Sequence, residues 1–205
     1  KSTIINTVVT GKLGEKIAES YNVRTISVLT GFKYIAEKIK EFEDNGLEFV
    51  FGYEESYGYL AGNFVRDKDA VIASMLICEM AACYKNRGMT LYEGLISLYR
   101  KYGFYKESLT SAAFKGKEGM EEMVRLINTL RTDLPDEVSG VKVEEVRDYL
   151  DYQGSIRLPK ENVLQFMLED KSWFCIRPSG TEPKLKIYYS VIGNDQEDAE
   201  ERMAR

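Results

Sequence analysis

RTISVLTGFKYIAEKIKEFEDNGLEFVF, residues 24–51, spells out a strand, a helix and a second strand in succession. Arg24–Leu29 reads as a strand. Thr30-Gly31 breaks it, and Phe32, Ile35, Ala36 and Ile39 then recur at helical spacing, which predicts a helix over Phe32–Phe42 with Phe32 in the core. Asn45-Gly46 stops that helix. Leu47–Phe51 is a short apolar run of the kind that forms a buried strand. The same alternation extends to both sides. Upstream, strand Thr3–Val9 leads through Gly11-Lys12-Leu13-Gly14 into a helix ending at Ser20. Downstream, an extended piece at Tyr59–Val65 precedes a helix over Ala70–Tyr84 that Asp67 can N-cap. Its Val71, Ile72, Met75, Leu76 and Met80 predict a buried helix. Thr90 and Glu93 form a capping box for a helix over Leu91–Tyr102. Strands alternating with helices imply an α/β domain over residues 1–104: a mixed, largely parallel sheet with helices on both faces.

The pattern then changes. Gly103 to Gly116 reads as a linker, within which Phe104–Leu109 can add a strand. Helix Glu118–Arg131 carries Met120, Met123, Val124, Ile127 and Leu130 on one face, and Leu134-Pro135 ends it. Four strands follow, over Gly140–Leu150, Asn162–Glu169, Trp173–Ile176 and Lys184–Val191, and a closing helix begins near Asn194. Residues 105–205 are thus expected to form a small α+β domain with an antiparallel sheet.

Composition excludes several function classes. The 205 residues carry a net charge of −5 with 44% hydrophobic residues, the profile of a globular protein without a basic stripe for nucleic acid. No apolar run reaches the roughly 18–20 residues of a membrane-spanning helix. Cys78, Cys83 and Cys175 lack metal-ligand spacing, lie in apolar stretches and are expected to be buried thiols. An odd cysteine count without a signal peptide suits a reducing cytoplasm. The chain starts at Lys1 on the edge of a strand and ends at Arg205 within a helix, which suggests a piece of a longer polypeptide.

Two stretches carry chemistry. Arg177-Pro178-Ser179-Gly180-Thr181-Glu182-Pro183-Lys184 joins two strands. Its arginine offers a planar fork of donors suited to phosphate oxygens, Ser179 and Thr181 add hydroxyls, and Gly180 lets the backbone approach closely. The two prolines stiffen the loop. A phosphate site and a solvated hairpin turn both fit these residues. Phe51-Gly52-Tyr53-Glu54-Glu55-Ser56-Tyr57-Gly58 follows a buried strand and sets a carboxylate two residues from a hydroxyl, which suits neighbouring sugar hydroxyls or simply a solvated turn. The nearest acidic cluster, Asp67-Lys68-Asp69, fits helix capping better than a metal site.

Together these stretches resemble the α-D-phosphohexomutase family, the phosphoglucomutases and phosphomannomutases. The 177–184 stretch is similar to the family's phosphate-binding loop, with Arg177, Ser179, Gly180 and Thr181 as implied phosphate contacts and Lys186 as an assisting cation. Residues 51–58 resemble its sugar-binding loop, with Glu54 and Ser56 on sugar hydroxyls, although Tyr53 stands where the family has glycine. No histidine follows Ser56, where the bacterial phosphomannomutase branch has one, and this leans toward glucose phosphate. Thr30-Gly31-Phe32-Lys33-Tyr34-Ile35 is similar to a specificity loop, adding Gly31 and Lys33 to the implied contacts. The resemblance covers the family's third and fourth domains, here 1–104 and 105–205. It implies the substrate-binding half of an enzyme that interconverts glucose 1-phosphate and glucose 6-phosphate. In the family a phosphoserine does the transfer, glucose 1,6-bisphosphate is the intermediate and Mg²⁺ is held by an acidic loop. The serine and metal loops lie in the missing N-terminal domains, so the chain alone is expected to be inactive. A phosphomannomutase, a phosphopentomutase or a non-catalytic phosphosugar-binding module are the alternatives.

Overall fold

A computed structural model describes residues 2–154, 158–179 and 183–205. The chain divides into two compact units, Lys1–Gly103 and Phe104–Arg205. In the first, β1 (Ser2–Thr7), α1 (Leu13–Ser20), β2 (Arg24–Val28), α2 (Phe32–Asn45) and β3 (Glu48–Glu54) alternate as their patterns predict. A hairpin return, β4 (Gly58–Ala61), and two helices, α3 (Ala70–Asn86) and α4 (Leu91–Tyr102), complete it. The sheet order is β2-β1-β3-β4; β1 runs parallel to both β2 and β3, and β4 is antiparallel to β3. β1 is central and almost wholly buried, and Ile5 on it, Ile35 and Ile39 on α2 and Leu60 on β4 are among the most deeply covered side chains of the unit. Gly46 takes the left-handed conformation (φ 65°) that ends α2, and the Thr90–Glu93 capping box opens α4.

Four expectations for this unit are corrected. Asp69, not Asp67, caps α3: its carboxylate accepts from the amides of Val71 and Ile72 at 2.9 and 3.1 Å, while Asp67 pairs with Lys68. The extended piece after the hairpin stops at Ala61 rather than Val65. And α3 is not buried. None of its residues is fully covered, and Val71 and Met75 are 81% and 56% exposed. A helix that is apolar all round has no preferred side to hide, and only one side of α3 faces the rest of its unit. Cys78 and Cys83 ride on that helix and are exposed, against the expectation of burial; Cys175, on a sheet strand, is fully buried.

The second unit holds β5 (Phe104–Ala113), α5 (Gly116–Thr132), β6 (Glu137–Val138), β7 (Val141–Asp148), β8 (Leu164–Leu168), β9 (Trp173–Pro178), β10 (Lys184–Gly193) and α6 (Gln196–Ala204). The strands form one antiparallel sheet in the order β5-β10-β9-β8-β7-β6. The stretch that reads as a linker is therefore largely β5, paired with β10 from Phe104 opposite Gly193 to Ala113 opposite Lys184. As an edge strand it carries polar residues, and this gives it a linker's composition. On one face, Met123 and Ile127 of α5 pack on Leu164, Phe166, Ile176 and Leu185. On the other, Tyr149, Val163, Gln165, Trp173, Cys175 and Tyr188 are buried.

On that second face the Tyr149 hydroxyl donates to Gln165 Oε1 at 2.9 Å. Burial pushes the phenol's pKa up, with Arg147 acting weakly the other way. Below pH about 10 the folded and unfolded chains both keep the proton; above it only the unfolded chain ionises readily, so stability falls as pH rises. Between pH 8 and pH 11, wild type is expected to lose about 1 kcal/mol more than Tyr149→Phe, with the remaining tyrosines common to both. Urea unfolding at the two pH values measures this, and equal losses would exclude Tyr149 as the cause.

Candidate functional site

The parallel strands β1, β2 and β3 end on the same side of their sheet, the side where α/β folds place ligands. The loop after β2 brings Gly31 and Lys33 there, and the turn after β3 brings Glu54 and Ser56. Glu54 pairs with Gly58 across the hairpin, leaving a three-residue turn whose third member, Tyr57, is left-handed (φ 64°). Glu54 as a residue is 9% exposed and its carboxylate has no hydrogen-bond donor among the described residues, but its oxygens are not among the fully covered ones; Ser56 is exposed. A carboxylate with no protein donors is free to accept from a ligand's hydroxyls. Gly58 is glycine for a reason of space: a Cβ there would fall 2.8 Å from Glu54 Oε1 and 2.7 Å from Lys68 Cδ.

That crowding locates a residue that sequence reading passes over. Lys68 lies against Gly58 and Glu54, and its ammonium sits 5.2 Å from the centroid of the Phe32 ring, so its side chain links the turn after β3 to the loop after β2. In the sequence Lys68 is one cation between two aspartates, and no local spacing marks it. Lys33 is exposed, with its ammonium 4.7 Å from the Tyr34 ring centroid, and Phe32 is core as expected. The Thr30 hydroxyl oxygen beside them is buried without a partner.

In the second unit, Arg177 on β9 stands directly opposite Lys186 on β10, so both side chains leave the same face of the sheet. Ser179 follows, its amide donating to the Lys184 carbonyl at 2.7 Å to close the base of the loop. Gly180 and Thr181 lie outside the described residues. Arg177 Nε donates to Glu161 Oε1 at 3.3 Å, which orients the guanidinium. Glu161 sits just before β8 and had no sequence signal, because its partner is sixteen residues away. Among the described residues no cluster of His, Cys, Asp and Glu could hold a metal ion, and Asp67 and Asp69 are committed to Lys68 and to the α3 cap. No helix among them is long and apolar enough to cross a membrane.

Comparisons with known proteins point to one family. Residues 1–102 match the family description "Phosphoglucomutase/phosphomannomutase, alpha/beta/alpha domain III", and residues 126–205 match "Phosphoglucomutase/phosphomannomutase, C-terminal domain". A phosphoglucomutase of Staphylococcus haemolyticus is 40% identical over 93% of the chain, and one of Staphylococcus aureus is 36% identical over 98%. The chain spans 36% and 38% of their lengths. Among solved structures, the open form of parafusin, a phosphoglucomutase from Paramecium, superposes with a TM-score of 0.71 at 20% identity over 98% of this chain and 36% of its own. A phosphomannomutase structure from Thermus thermophilus gives 0.60 at 18% identity over 100% of this chain and 36% of its own. At those identities the structures speak to the fold alone.

Proposed function

Because the chain belongs to the phosphoglucomutase/phosphomannomutase family and carries its third domain and its C-terminal domain, we propose that it is the sugar- and phosphate-holding half of a phosphoglucomutase. The parent interconverts glucose 1-phosphate and glucose 6-phosphate. The observation that carries the reading is the carboxylate of Glu54, without a hydrogen-bond donor among the described residues, at the ends of β1–β3 and on the same turn as the hydroxyl of Ser56. Sugar hydroxyls supply the donors it lacks, and the exposed Ser56 two residues on meets a neighbouring hydroxyl. Lys68 and Lys33 add positive charge close by, which favours a phosphosugar over a neutral one. Arg177, with Nε engaged by Glu161, presents its terminal nitrogens to a phosphate. Lys186 opposite it and the Ser179, Gly180 and Thr181 loop complete that anion site.

In this reading the residues of this chain bind and orient rather than react. They hold the sugar ring and the phosphate that is not being transferred, and positioning of that kind supplies a large share of phosphoryl-transfer catalysis. The phosphoserine and Mg²⁺ belong to domains upstream, where the metal supplies charge neutralisation. Glucose 1,6-bisphosphate is the intermediate that turns over between the two transfers. The free thiols support a cytoplasmic setting.

NMR titration of the chain with glucose 1-phosphate is the test. Amide shifts at 54–56 and around Arg177 are expected at millimolar ligand, with weaker responses to mannose 1-phosphate and no mutase turnover in a coupled assay. Shifts absent from 54–56 would refute the sugar site, and turnover by the purified chain would refute the division of labour.

A further inference from the structure

The turn that carries Glu54 and Ser56 has little of its own to hold it. Ser56 and Tyr57 are exposed, Tyr57 at 85%, and Tyr57 occupies the left-handed region without being glycine. Its anchor is the next carboxylate along. Glu55 Oε2 accepts from Thr7 Oγ1 at 2.8 Å and from Thr10 Oγ1 at 3.2 Å. Both threonines are buried, at 0% and 5% exposure, where β1 ends and the chain turns. The backbone ties them together: the Thr7 amide donates to Thr10 Oγ1 at 3.2 Å, and the Thr10 amide donates to the Thr7 carbonyl at 3.0 Å. Hydrogen bonds from neutral donors to a charged acceptor are among the stronger ones, and these are partly buried.

We propose that Glu55 is a positioning residue. Its carboxylate grips the hydroxyls of Thr7 and Thr10 and so fixes the turn in the one arrangement that sets Glu54 and Ser56 on neighbouring sugar hydroxyls. The proposal rests on the sugar-site reading and adds to it the residue that pre-organises the site. Two adjacent glutamates thereby divide the work: Glu54 keeps its oxygens for the ligand, and Glu55 spends its own on the central strand. Pre-organisation lowers the ordering cost of binding, so losing the grip weakens sugar binding without touching a sugar contact. Glutamine at position 55 keeps an oxygen that can accept from both hydroxyls, whereas alanine keeps none.

The experiment titrates this chain, followed by NMR, with glucose 1-phosphate and with inorganic phosphate, for wild type, Glu55→Ala, Glu55→Gln and Thr7→Val. The expected result is about tenfold weaker glucose 1-phosphate binding in Glu55→Ala and about threefold in Thr7→Val. Glu55→Gln stays within about twofold of wild type, and inorganic phosphate, which has no sugar hydroxyls, binds all four proteins alike. A general loss of structure would weaken both ligands together. Should Glu55→Ala fail to fold, Glu55→Gln and Thr7→Val decide, since both preserve volume. Equal glucose 1-phosphate affinity across the series would overturn the proposal while leaving the sugar site standing. A wild type that binds inorganic phosphate but shows no response to the sugar at 54–58 would overturn the sugar site and this proposal with it.

Discussion

Under the proposed function, Arg177→Ala in the full-length polypeptide is expected to lower kcat/KM for glucose 1-phosphate by roughly 10²- to 10³-fold, the effect of losing two charge-assisted hydrogen bonds worth about 3–4 kcal/mol together. The fork geometry sets this size. Nε is engaged by Glu161 at 3.3 Å, so the terminal nitrogens are the pair left for the proposed phosphate. Lys186 stands opposite on β10 and retains part of the field, which keeps the loss from being complete. Arg177→Lys preserves the charge but not the planar pair of donors, and falls between wild type and alanine. Glu161→Ala leaves the donors present but the guanidinium loose, and costs less than Arg177→Ala. Steady-state kinetics on the three variants, with thermal melts to show that each is folded, checks the order. A loss below fivefold in Arg177→Ala would remove the phosphate role from this arginine.

The second large effect is on stability. Phe166 has no exposed surface, stacks on Phe174 with ring centroids 4.4 Å apart, and lies at the centre of the cluster that joins α5 to the sheet. Phe166→Ala is expected to destabilise the second unit by about 3–5 kcal/mol, because the transfer term and the cavity term add and the sheet cannot close over the gap. Against a typical domain stability of about 5–15 kcal/mol, that leaves the unit marginal. The chain's one tryptophan, Trp173, sits on β9 in the same sheet at 2% exposure, so its fluorescence reports unfolding of this unit. The urea midpoint of the fluorescence transition should fall sharply, and Phe166→Leu should recover more than half. A change under 1 kcal/mol would mean that the core is not organised around this ring.

What was legible in the sequence follows from how far each signal reaches. Periodicity is local, so β1 to β3, α2 and α5 could be read as elements and Phe32 assigned to the core. But Val50 of β3 and Met120 and Val124 of α5, read as covered, are exposed, because only Phe49 of that apolar run and Met123 and Ile127 of that helix face the core. The hydroxyl, carboxylate and arginine positions of the two loops could be put forward as contacts because their spacing within a few residues is itself a signal. Lys68, Glu161 and the Thr7–Thr10–Glu55 cluster were not, since each acts through a partner sixteen or more residues away, or across a hairpin. The misread elements share one cause: composition reports chemistry, and only the neighbours decide exposure. Val71 and Met75 are as apolar as any core residue, yet α3 has its unit on one side only. Conversely, Ser108, Thr110 and Ser111 look like linker residues and are strand residues, because β10 pairs with them along its whole length.

That pairing governs how the polypeptide can be dissected. α4 ends at Tyr102 and β5 begins at Phe104, so a single residue, Gly103, separates the two units. A protein engineer guided by composition would cut further on, in the polar stretch before Gly116. The downstream product would then lack its outermost strand, and the amides and carbonyls of β10 that face β5 would lie open. An unprotected strand of that length is a template for joining another copy edge to edge. Separated halves of this chain therefore have one safe seam, and it is a glycine wide.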